Sequence, residues 1–492
     1  MQTRRDQLQA HLFTVGRLVS GLVQGEPDVP ETPMRRSTTG VFVGVAVTML
    51  IIVGSALFGL ISPSASTGIT ASNTLLVDQR TGARYLYLDG ELRPVLNYSS
   101  ALLILNSATP TVKTVSSSAL DGAPHGLPVG IPDAPETLPS PTAPTRGAWS
   151  VCAATVPDSA GRPQPVVTAE VGPARLPTVL DDRRALLVRT PDGSTFLAWH
   201  DRRLLIPAGS RTALGYDAVQ PFQVGASWVS ALPAGPDLTA RAVDGLGSSG
   251  PVVNGSRGTV GQIFRSDGPS TPGSPGNLFV LLRDGLAPLS PVDAALLLGD
   301  PATIRAYGSR PVAPIPVSAA ALGAVPPSAT SAITAGYPPT VPQAVGATAG
   351  GTQVPCFTAA TGPDAGPVYR VATESAADPL QSTAPTGGGS GTGGAVDGPV
   401  ADHVQVPPGG GLEAVALAAP GVSSGTLYLV TDLGLKYPLA SANVAKTLGY
   451  GAVDPVPVPT TLLALLPTGP VLDPATAGET LPMAAASTAA AP

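Results

Sequence analysis

The apolar positions of the first 61 residues predict two helices of different kinds. In the first helix, apolar residues recur every three or four positions, which is typical of an amphipathic helix. These positions are Leu8, Leu12, Val15, Val19 and Leu22. In the second, residues 40–61 carry no charge and at about 1.5 Å per residue extend roughly 33 Å, enough to cross a bilayer. We expect a transmembrane helix there; a buried helix of a soluble protein is the alternative.

The charges around the apolar segment predict its orientation. Arg35 and Arg36 precede the segment, whereas neither Lys nor Arg occurs between Ser62 and Gln79. Because basic residues stay on the cytoplasmic side, we expect the N-terminus in the cytoplasm and the chain after Ser62 on the outer side. A cleaved signal peptide is disfavoured, because 39 residues precede the segment and its apolar stretch is longer than that of a signal peptide.

The amphipathic helix presents an apolar face that needs a partner. Three partners could cover this face: the bilayer surface, a second copy of the helix, or another protein. We favour another protein.

Beyond the membrane segment, alternating apolar residues predict a strand pattern that recurs four times. Each occurrence has a strand, a tight turn containing Asp, and a second strand with a nearby Pro. The occurrences are Tyr85–Val95, Phe196–Ile206, Phe279–Leu289 and Tyr428–Leu439, with Asp89, Asp201, Asp284 and Asp432 in the turns. Short helices closed by glycine follow, as at Ala294–Gly299 and Ala442–Gly449. We therefore predict four ββα-like repeats of about 50 residues each.

Two of these repeats share a longer motif. Leu214–Val224 (LGYDAVQPFQV) and Leu448–Val458 (LGYGAVDPVPV) match closely and lie 234 positions apart. A match of this length indicates internal repetition.

Strand-like segments between the repeats predict a central β domain. We assign Trp149–Thr155, Val252–Ser266 and Val354–Thr358 to it. Two of these segments carry Cys152 and Cys356, the two cysteines of the chain. Export would place both in an oxidising compartment, so one disulfide is favoured over two unrelated thiols. Ala313–Pro327, Pro124–Pro144 and the Gly-rich run Gly387–Gly394 are predicted as mobile linkers.

The predicted fold class is α+β, with one N-terminal transmembrane helix and then an elongated exported domain of four ββα-like repeats around a central β domain closed by one disulfide. The expected boundaries are 1–39 for the cytoplasmic segment, 40–61 for the membrane helix, 75–123, 185–240, 278–325 and 425–475 for the repeats, 146–184, 241–277 and 350–420 for the central domain, and 476–492 for a disordered tail.

Composition and motifs argue against several kinds of chemistry. A net charge of −6 gives no basic footprint for nucleic acid. The chain has no Gly-Lys dipeptide, so it lacks a P-loop. Two GxGxxG matches, Gly245–Gly250 and one beginning at Gly389, run into Pro251 or low-complexity sequence and are read as accidents of composition. His125, His200 and His403 lie far apart, and the turn Asp residues are interpreted as turn formers. No catalytic residue, metal site or cofactor is assigned.

Taken together, these features resemble the EccB component of actinobacterial type VII secretion systems. The resemblance rests on Arg4–His11 (RRDQLQAH), Gly16–Leu18 (GRL), Glu26–Asp28 (EPD) before Arg35-Arg36, Val260–Phe264 (VGQIF), Asp284–Pro288 (DGLAP) and Leu435–Pro438 (LKYP), together with the spaced cysteine pair. It covers nearly the whole chain.

The resemblance implies a core subunit of a membrane complex that exports small helical proteins. EccC, EccD and EccE would be its partners, the mycosin protease would lie nearby, and the subunit would form homo-oligomers within the complex. Some family members are described as ATPases, so ATP is implied by resemblance alone. The leading hypothesis is a structural subunit of this complex. The alternatives are a weak nucleotide hydrolase and a cell-wall-binding module that uses Trp149, Trp199 and Trp228 as stacking surfaces.

Overall fold

The computed structural model describes most of the chain. The described residues are 4–25, 34–61, 69–141, 145, 148–173, 175–266, 277–360, 366–375, 399–419 and 425–481. The Glu26–Asp28 motif, the run Gly387–Gly394 and most of the predicted disordered tail lie outside them, as do the side chains of Arg35 and Arg36.

The helices and strands are short after the first two helices. The helices are α1 Arg4–Gln24, α2 Met34–Ile61, α3 Tyr98–Leu105, α4 Ser117–Leu120, α5 Ala208–Ala213, α6 Ala226–Ala231, α7 Pro291–Gly299, α8 Ile304–Tyr307, α9 Ala319–Gly323, α10 Ala442–Thr447, α11 Thr460–Leu463 and α12 Pro474–Gly478, with one 3₁₀ turn at Pro301–Thr303. The strands are β1 Thr74–Asp78, β2 Arg84–Leu88, β3 Glu91–Pro94, β4 Thr111–Val115, β5 Ala148–Pro157, β6 Pro163–Val171, β7 Thr178–Val179, β8 Arg184–Arg189, β9 Thr195–Trp199, β10 Arg202–Leu205, β11 Phe222–Gln223, β12 Ser249–Val253, β13 Ser256–Thr259, β14 Ile263–Ser266, β15 Leu278–Leu281, β16 Leu286–Leu289, β17 Ile315–Val317, β18 Gln343–Val345, β19 Gln353–Ala360, β20 Val368–Ser375, β21 His403–Gln405, β22 Gly411–Leu417, β23 Leu427–Thr431, β24 Lys436–Pro438 and β25 Val456–Pro459.

The chain divides into two compact units. The first comprises Met1–Ser72 with Val115–Gly122 and contains α1 and α2; the second comprises Asn73–Thr114 with Ala123–Pro492. Within α2, the segment Ser37–Ser55 has a mean hydropathy of 2.0, and none of its residues is buried. The helix is long and apolar enough to span a membrane, and its exposure in the chain argues against the alternative of a buried core helix.

Four small sheets in the second unit have the same strand order. The orders are β3-β2-β1-β4, β10-β9-β8-β11, β16-β15-β14-β17 and β24-β23-β22-β25, and β18 adds a fifth strand beside β8. The four predicted hairpins are the second and third strands of these sheets. The first and fourth strands were not predicted as parts of these units, although β14 lies in the predicted strand segment Val252–Ser266, so each sheet is larger than a ββα unit. The fourth strand runs parallel to the first in the last three sheets.

A second shared feature is a bridge between the third strand and a later Pro-containing segment. In each sheet one third-strand N–H donates to a proline carbonyl, and the second residue after that proline donates back, at 2.7–3.0 Å. The third-strand residues are Leu92, Arg203, Leu286 and Lys436, the prolines are Pro124, Pro233, Pro326 and Pro467, and the returning donors are Gly126, Gly235, Ser328 and Gly469.

The prediction of mobile linkers at Pro124–Pro144 and Ala313–Pro327 is therefore wrong for their described residues. The first segment makes this bridge and buries Ile131. The second contains β17 and α9. Proline removes an N–H donor but keeps its carbonyl, so a Pro-rich segment can still pair along one edge of a strand.

The central sheet has six strands in the order β21-β6-β5-β19-β20-β7. The predicted strands at Trp149–Thr155 and Val354–Thr358 lie in it, as β5 and β19. The assignment of Val252–Ser266 to this domain is wrong, because β12 and β13 form a separate pair and β14 belongs to the third small sheet. Sequence alternation identified these strands but contains no information about which sheet they join.

Three hydrophobic cores connect these sheets. The largest contains Trp149 and Phe357 of the central sheet together with Val188 of the second small sheet and Val430 of the fourth. A second core joins α3 to the fourth sheet, and a third joins the second sheet to α7. The second and fourth small sheets thus pack on the central sheet, and they also pack on α7 and α3, respectively.

Candidate functional site

The N-terminal helix α1 presents an uncovered apolar stripe. Its predicted residues are exposed by 61% at Leu8, 62% at Leu12, 41% at Val15, 54% at Val19 and 83% at Leu22. At about 100° per residue these five positions fall within one side of the helix. Leu18, which is 61% exposed, extends the stripe. It was not predicted as part of the stripe, although it lies three residues from Val15 and four from Leu22, the spacing that identified the other positions. An exposed stripe of this kind is typical of an interaction surface.

From Gly40 onwards helix α2 is apolar on all sides, and its described side chains are exposed. Phe42 is 77% exposed and Leu50 is 71% exposed. Thr48 and Ser55 donate their hydroxyls to the carbonyls of Gly44 and Ile51, so these polar side chains need no water. A helix that satisfies its own polar groups can lie in lipid at little cost.

The central sheet contains the disulfide between Cys152 and Cys356. The two residues face each other directly in the β5–β19 register, with Cα atoms 4.1 Å apart. The bond therefore joins adjacent strands from segments 204 residues apart in sequence. The sequence predicted the pairing of these cysteines but not their position as a cross-strand pair.

Two glutamates lie near the disulfide. A carboxylate oxygen of Glu374 is 3.6 Å from the sulfur of Cys152. Burial raises the pKa of Glu170, and the charge of Glu374 raises it further. Cys152, Cys356 and Glu374 form one compact group of potential metal ligands among the described residues. Because its two sulfur atoms are bonded to each other, this group offers a metal a single carboxylate.

Two of the four turn aspartates, Asp284 and Asp432, bind segments that are distant in sequence. Asp89 adopts a left-handed conformation with φ of +52°, which Asp tolerates better than most residues. Asp284 accepts hydrogen bonds from the Ser328 hydroxyl and the Ala329 N–H, and these bonds lower its pKa. Asp432 accepts from the Gly409 N–H, 23 residues earlier in the chain. The bonds to residues distant in sequence were not predicted, but they support a structural role for Asp284 and Asp432.

The structure does not bring the histidines together. His125 lies on the bridge to the first sheet, and His403 pairs with Thr168 in the central sheet. His200 Nδ1 lies 2.8 Å from a carboxylate oxygen of Asp182 in the hairpin turn of the second sheet. Gly245–Gly250 leads into β12 and not into a helix, so it is not a dinucleotide-binding turn.

Two of the three tryptophans proposed as stacking surfaces are buried. Trp149 and Trp228 have no exposed surface, and Trp228 donates its indole N–H to the Val151 carbonyl. Trp199 is partly buried and donates to the Asp182 carbonyl. The prediction that Trp149 and Trp228 offer surfaces to a glycan is therefore wrong, because both fill the central core.

Comparison with known proteins identifies one family along almost the whole chain. Residues 1–482 match the family described as "Type VII secretion system ESX-1, transport TM domain B". The chain is 29% identical to the ESX-3 secretion system ATPase EccB3 of Mycolicibacterium smegmatis, over 95% of this chain and 89% of the relative. It is 32% identical to EccB3 of Mycobacterium tuberculosis, over 60% of this chain and 56% of that relative.

Solved structures agree with the sequence comparison. A chain of an intact ESX-5 inner membrane complex superposes with a TM-score of 0.63 at 26% identity, covering 99% of this chain and 97% of that one. The EccB3 dimer from the ESX-3 core complex gives a TM-score of 0.62 at 27% identity, covering 82% of this chain and 100% of that one.

Proposed function

The chain belongs to the EccB family of type VII secretion systems, and on that premise we propose that it is a structural subunit of the secretion complex of its own membrane. Helix α2 anchors it, α1 lies on the cytoplasmic side, and the second unit forms the extracytoplasmic part. The observation that carries this proposal is the exposed apolar stripe of α1. A stripe of six residues that no described part of the chain covers needs a neighbour.

The expected partners follow from the family. They are EccC, EccD, EccE and the mycosin protease, together with further copies of this chain, since a related EccB3 has been solved as a dimer. Arg35 and Arg36 would keep the N-terminus cytoplasmic.

We also propose that the four small sheets are copies of one repeat around the central sheet. The shared strand order and the shared proline bridge support this. The motif around Tyr216 and Tyr450 adds a third correspondence: these hydroxyls donate to the carbonyls of Pro342 and Pro139, in the segments that leave the third and first sheets.

The decisive experiment replaces two stripe residues by a charged residue. Leu12→Asp with Val15→Asp places two carboxylates in the stripe, whereas Ala10→Asp, on the opposite and exposed side of α1, is the matched control. The full chain is tagged at its C-terminus, extracted from native membranes in mild detergent and analysed on native gels with mass spectrometry. We expect a large assembly containing the partners for wild type and control, and its loss for the double variant. Unchanged assembly of the double variant would contradict the proposal.

The names of relatives include ATPase, which makes nucleotide hydrolysis the second candidate. The sequence has no Gly-Lys dipeptide and therefore no P-loop to bind the phosphates of a nucleotide. The two functions are separated by assaying ATP hydrolysis of the same purified complex in two forms. One form contains a wild-type EccC subunit, and the other contains an EccC subunit with an inactive P-loop. Hydrolysis that persists without a working EccC would favour the second candidate.

A further inference from the structure

The third small sheet contains a cavity of about 250 Å³. Its floor is apolar and made by Val280 of β15, Leu297 of α7 and Ala332, all of which belong to one buried cluster. Its rim carries Arg241, Arg283 and Asp244. The volume is below the range of roughly 300–1,000 Å³ typical of sites for small molecules and cofactors, so it suits a single large side chain.

The cavity corresponds to a position that a large residue fills in the other three sheets. There, the fifth residue after the bridging proline is fully buried and donates its N–H to the third strand at 2.8–2.9 Å. These residues are Val129, Leu238 and Leu472, whose acceptors are the carbonyls of Pro94, Leu205 and Pro438. Each packs on the second strand of its sheet, at Leu86, Leu197 and Leu429.

The third sheet departs from this pattern. Its segment is one residue longer, and Ala332 packs on Val280, the counterpart of those second-strand leucines. Among the described residues, no backbone N–H of this segment donates to Pro288 of β16, the counterpart of Pro94 and Pro438. Pro288 is exposed. The third sheet therefore lacks both the aliphatic side chain and the backbone bond that complete the other three.

The rim carries two guanidinium groups and two carboxylates, from Arg241, Arg283, Asp244 and Asp284. Arg241 donates one N–H to the Ser331 carbonyl at 2.6 Å, and a guanidinium has five N–H donors. Arg283 lies 3.5 Å from Asp244, and both are largely exposed. The Asp284 carboxylate is already bound by Ser328 and Ala329. Among the described residues, Arg241 makes this one side-chain hydrogen bond, so its other N–H donors can bind an added carboxylate.

We propose that this cavity is a docking site for an extended segment of a partner polypeptide, which inserts one bulky aliphatic side chain and carries an acidic residue beside it. The aliphatic side chain would take the place that Val129, Leu238 and Leu472 occupy in the other sheets, and the acidic residue would bind Arg241 and Arg283. An extended segment beside a strand edge is an established mode of peptide recognition.

The test uses the full chain in detergent and a fluorescein-labelled pentapeptide, Thr-Leu-Glu-Thr-Thr, in a fluorescence anisotropy titration. We expect saturable binding below about 1 mM, at least tenfold weaker binding when the leucine is replaced by alanine, and weaker binding when the glutamate is replaced by lysine. A wild-type chain that shows no saturable binding, or that binds all three peptides equally, would overturn the proposal. Binding of hexanoate with equal affinity would also overturn it, since a small aliphatic carboxylate would then suffice.

Variants of the chain test the site itself. Ala332→Leu restores the large residue of the other sheets, so it should keep or raise the melting temperature and weaken peptide binding at least tenfold. Ala320→Leu, an exposed position of α9, is the matched control and should bind as wild type does. Arg241→Gln with Arg283→Gln leaves the floor intact and should remove the preference for glutamate over lysine. Equal binding by wild type and Ala332→Leu, or an unchanged preference in the double Gln variant, would contradict the assignment.

Discussion

At the residue scale, a buried lysine gives the fold a pH dependence. Lys436 is 2% exposed and donates its ammonium to the Leu466 carbonyl. Burial lowers its pKa to about 8. In the unfolded chain the pKa would be about 10.4, so between these values the unfolded state binds the extra proton. Stability then rises with pH across this window, because the cost of burying a charge disappears as the native lysine becomes neutral.

Lys436→Met tests this pH dependence. The variant has no group to deprotonate, so we expect its melting temperature relative to wild type to be highest at pH 7 and to fall as the pH rises to 9.5. The measurement is thermal unfolding of both purified chains at matched pH values. A constant difference between the two would mean that Lys436 keeps an ordinary pKa.

Two tyrosines make a second prediction at this scale. Tyr216 and Tyr450 occupy the same place in the repeated motif, and each donates its hydroxyl to a proline carbonyl in another segment, at 2.8 Å and 2.6 Å. Tyr216→Phe and Tyr450→Phe should each lower the free energy of unfolding by about 1 kcal/mol. Thermal unfolding of the single and double variants checks this. If one substitution has no effect, the two tyrosines do not have equivalent roles.

The motif LGYxAVxP identified these tyrosines from sequence, but their partners Pro342 and Pro139 were not predictable. Both prolines lie in segments with neither helical nor strand periodicity, and a single hydrogen bond to a carbonyl has no sequence pattern. The same reason explains why Asp284 and Asp432 were correctly placed in turns while their acceptor roles towards Ser328 and Gly409 were not foreseen.

At the element scale, the bridge to the third strand requires close approach. A Cβ on Gly469 would lie 2.4 Å from Cε1 of Tyr437, which is 1% exposed and cannot move into solvent. Gly469→Ala should therefore destabilise the chain by about 1–3 kcal/mol through overpacking. Gly478→Ala, where nothing lies within 4 Å, is the control. Equal melting temperatures for both variants would show that the bridge segment shifts freely.

Sequence patterns predicted the second and third strands of each small sheet better than the first and fourth. The hairpins have alternation and a turn residue, both of which are local signals. The fourth strands are short and follow a helix, and β11 has only two residues. Their pairing with the first strand depends on contacts between residues that are distant in sequence. The periodicity of apolar residues in a single sequence does not reveal such contacts. The misplaced Val252–Ser266 segment has the same cause.

At the scale of the whole molecule, we expect membrane insertion and the disulfide to be linked. On the proposed topology, the second unit with its cysteine pair is exported, and the bond forms in an oxidising compartment. The disulfide closes a loop between cysteines 204 residues apart, which stabilises the fold by at most about 5 kcal/mol in the chain-entropy model. If α2 did not insert, the cysteines would stay in the reducing cytoplasm and the second unit would lose this contribution.

Charged residues in α2 test this link. Leu50→Arg with Ile51→Arg places two charges in the apolar segment, each costing about 2.5–3.5 kcal/mol near the bilayer centre, whereas Thr38→Arg adds one at the cytoplasmic end and should be tolerated. Labelling with maleimide-polyethylene glycol after acid quenching reports the thiols of Cys152 and Cys356 as a gel shift. We expect two labelled thiols for the double variant and none for wild type or the control. Oxidised cysteines in a double variant that no longer sediments with membranes would mean that disulfide formation does not depend on export through α2.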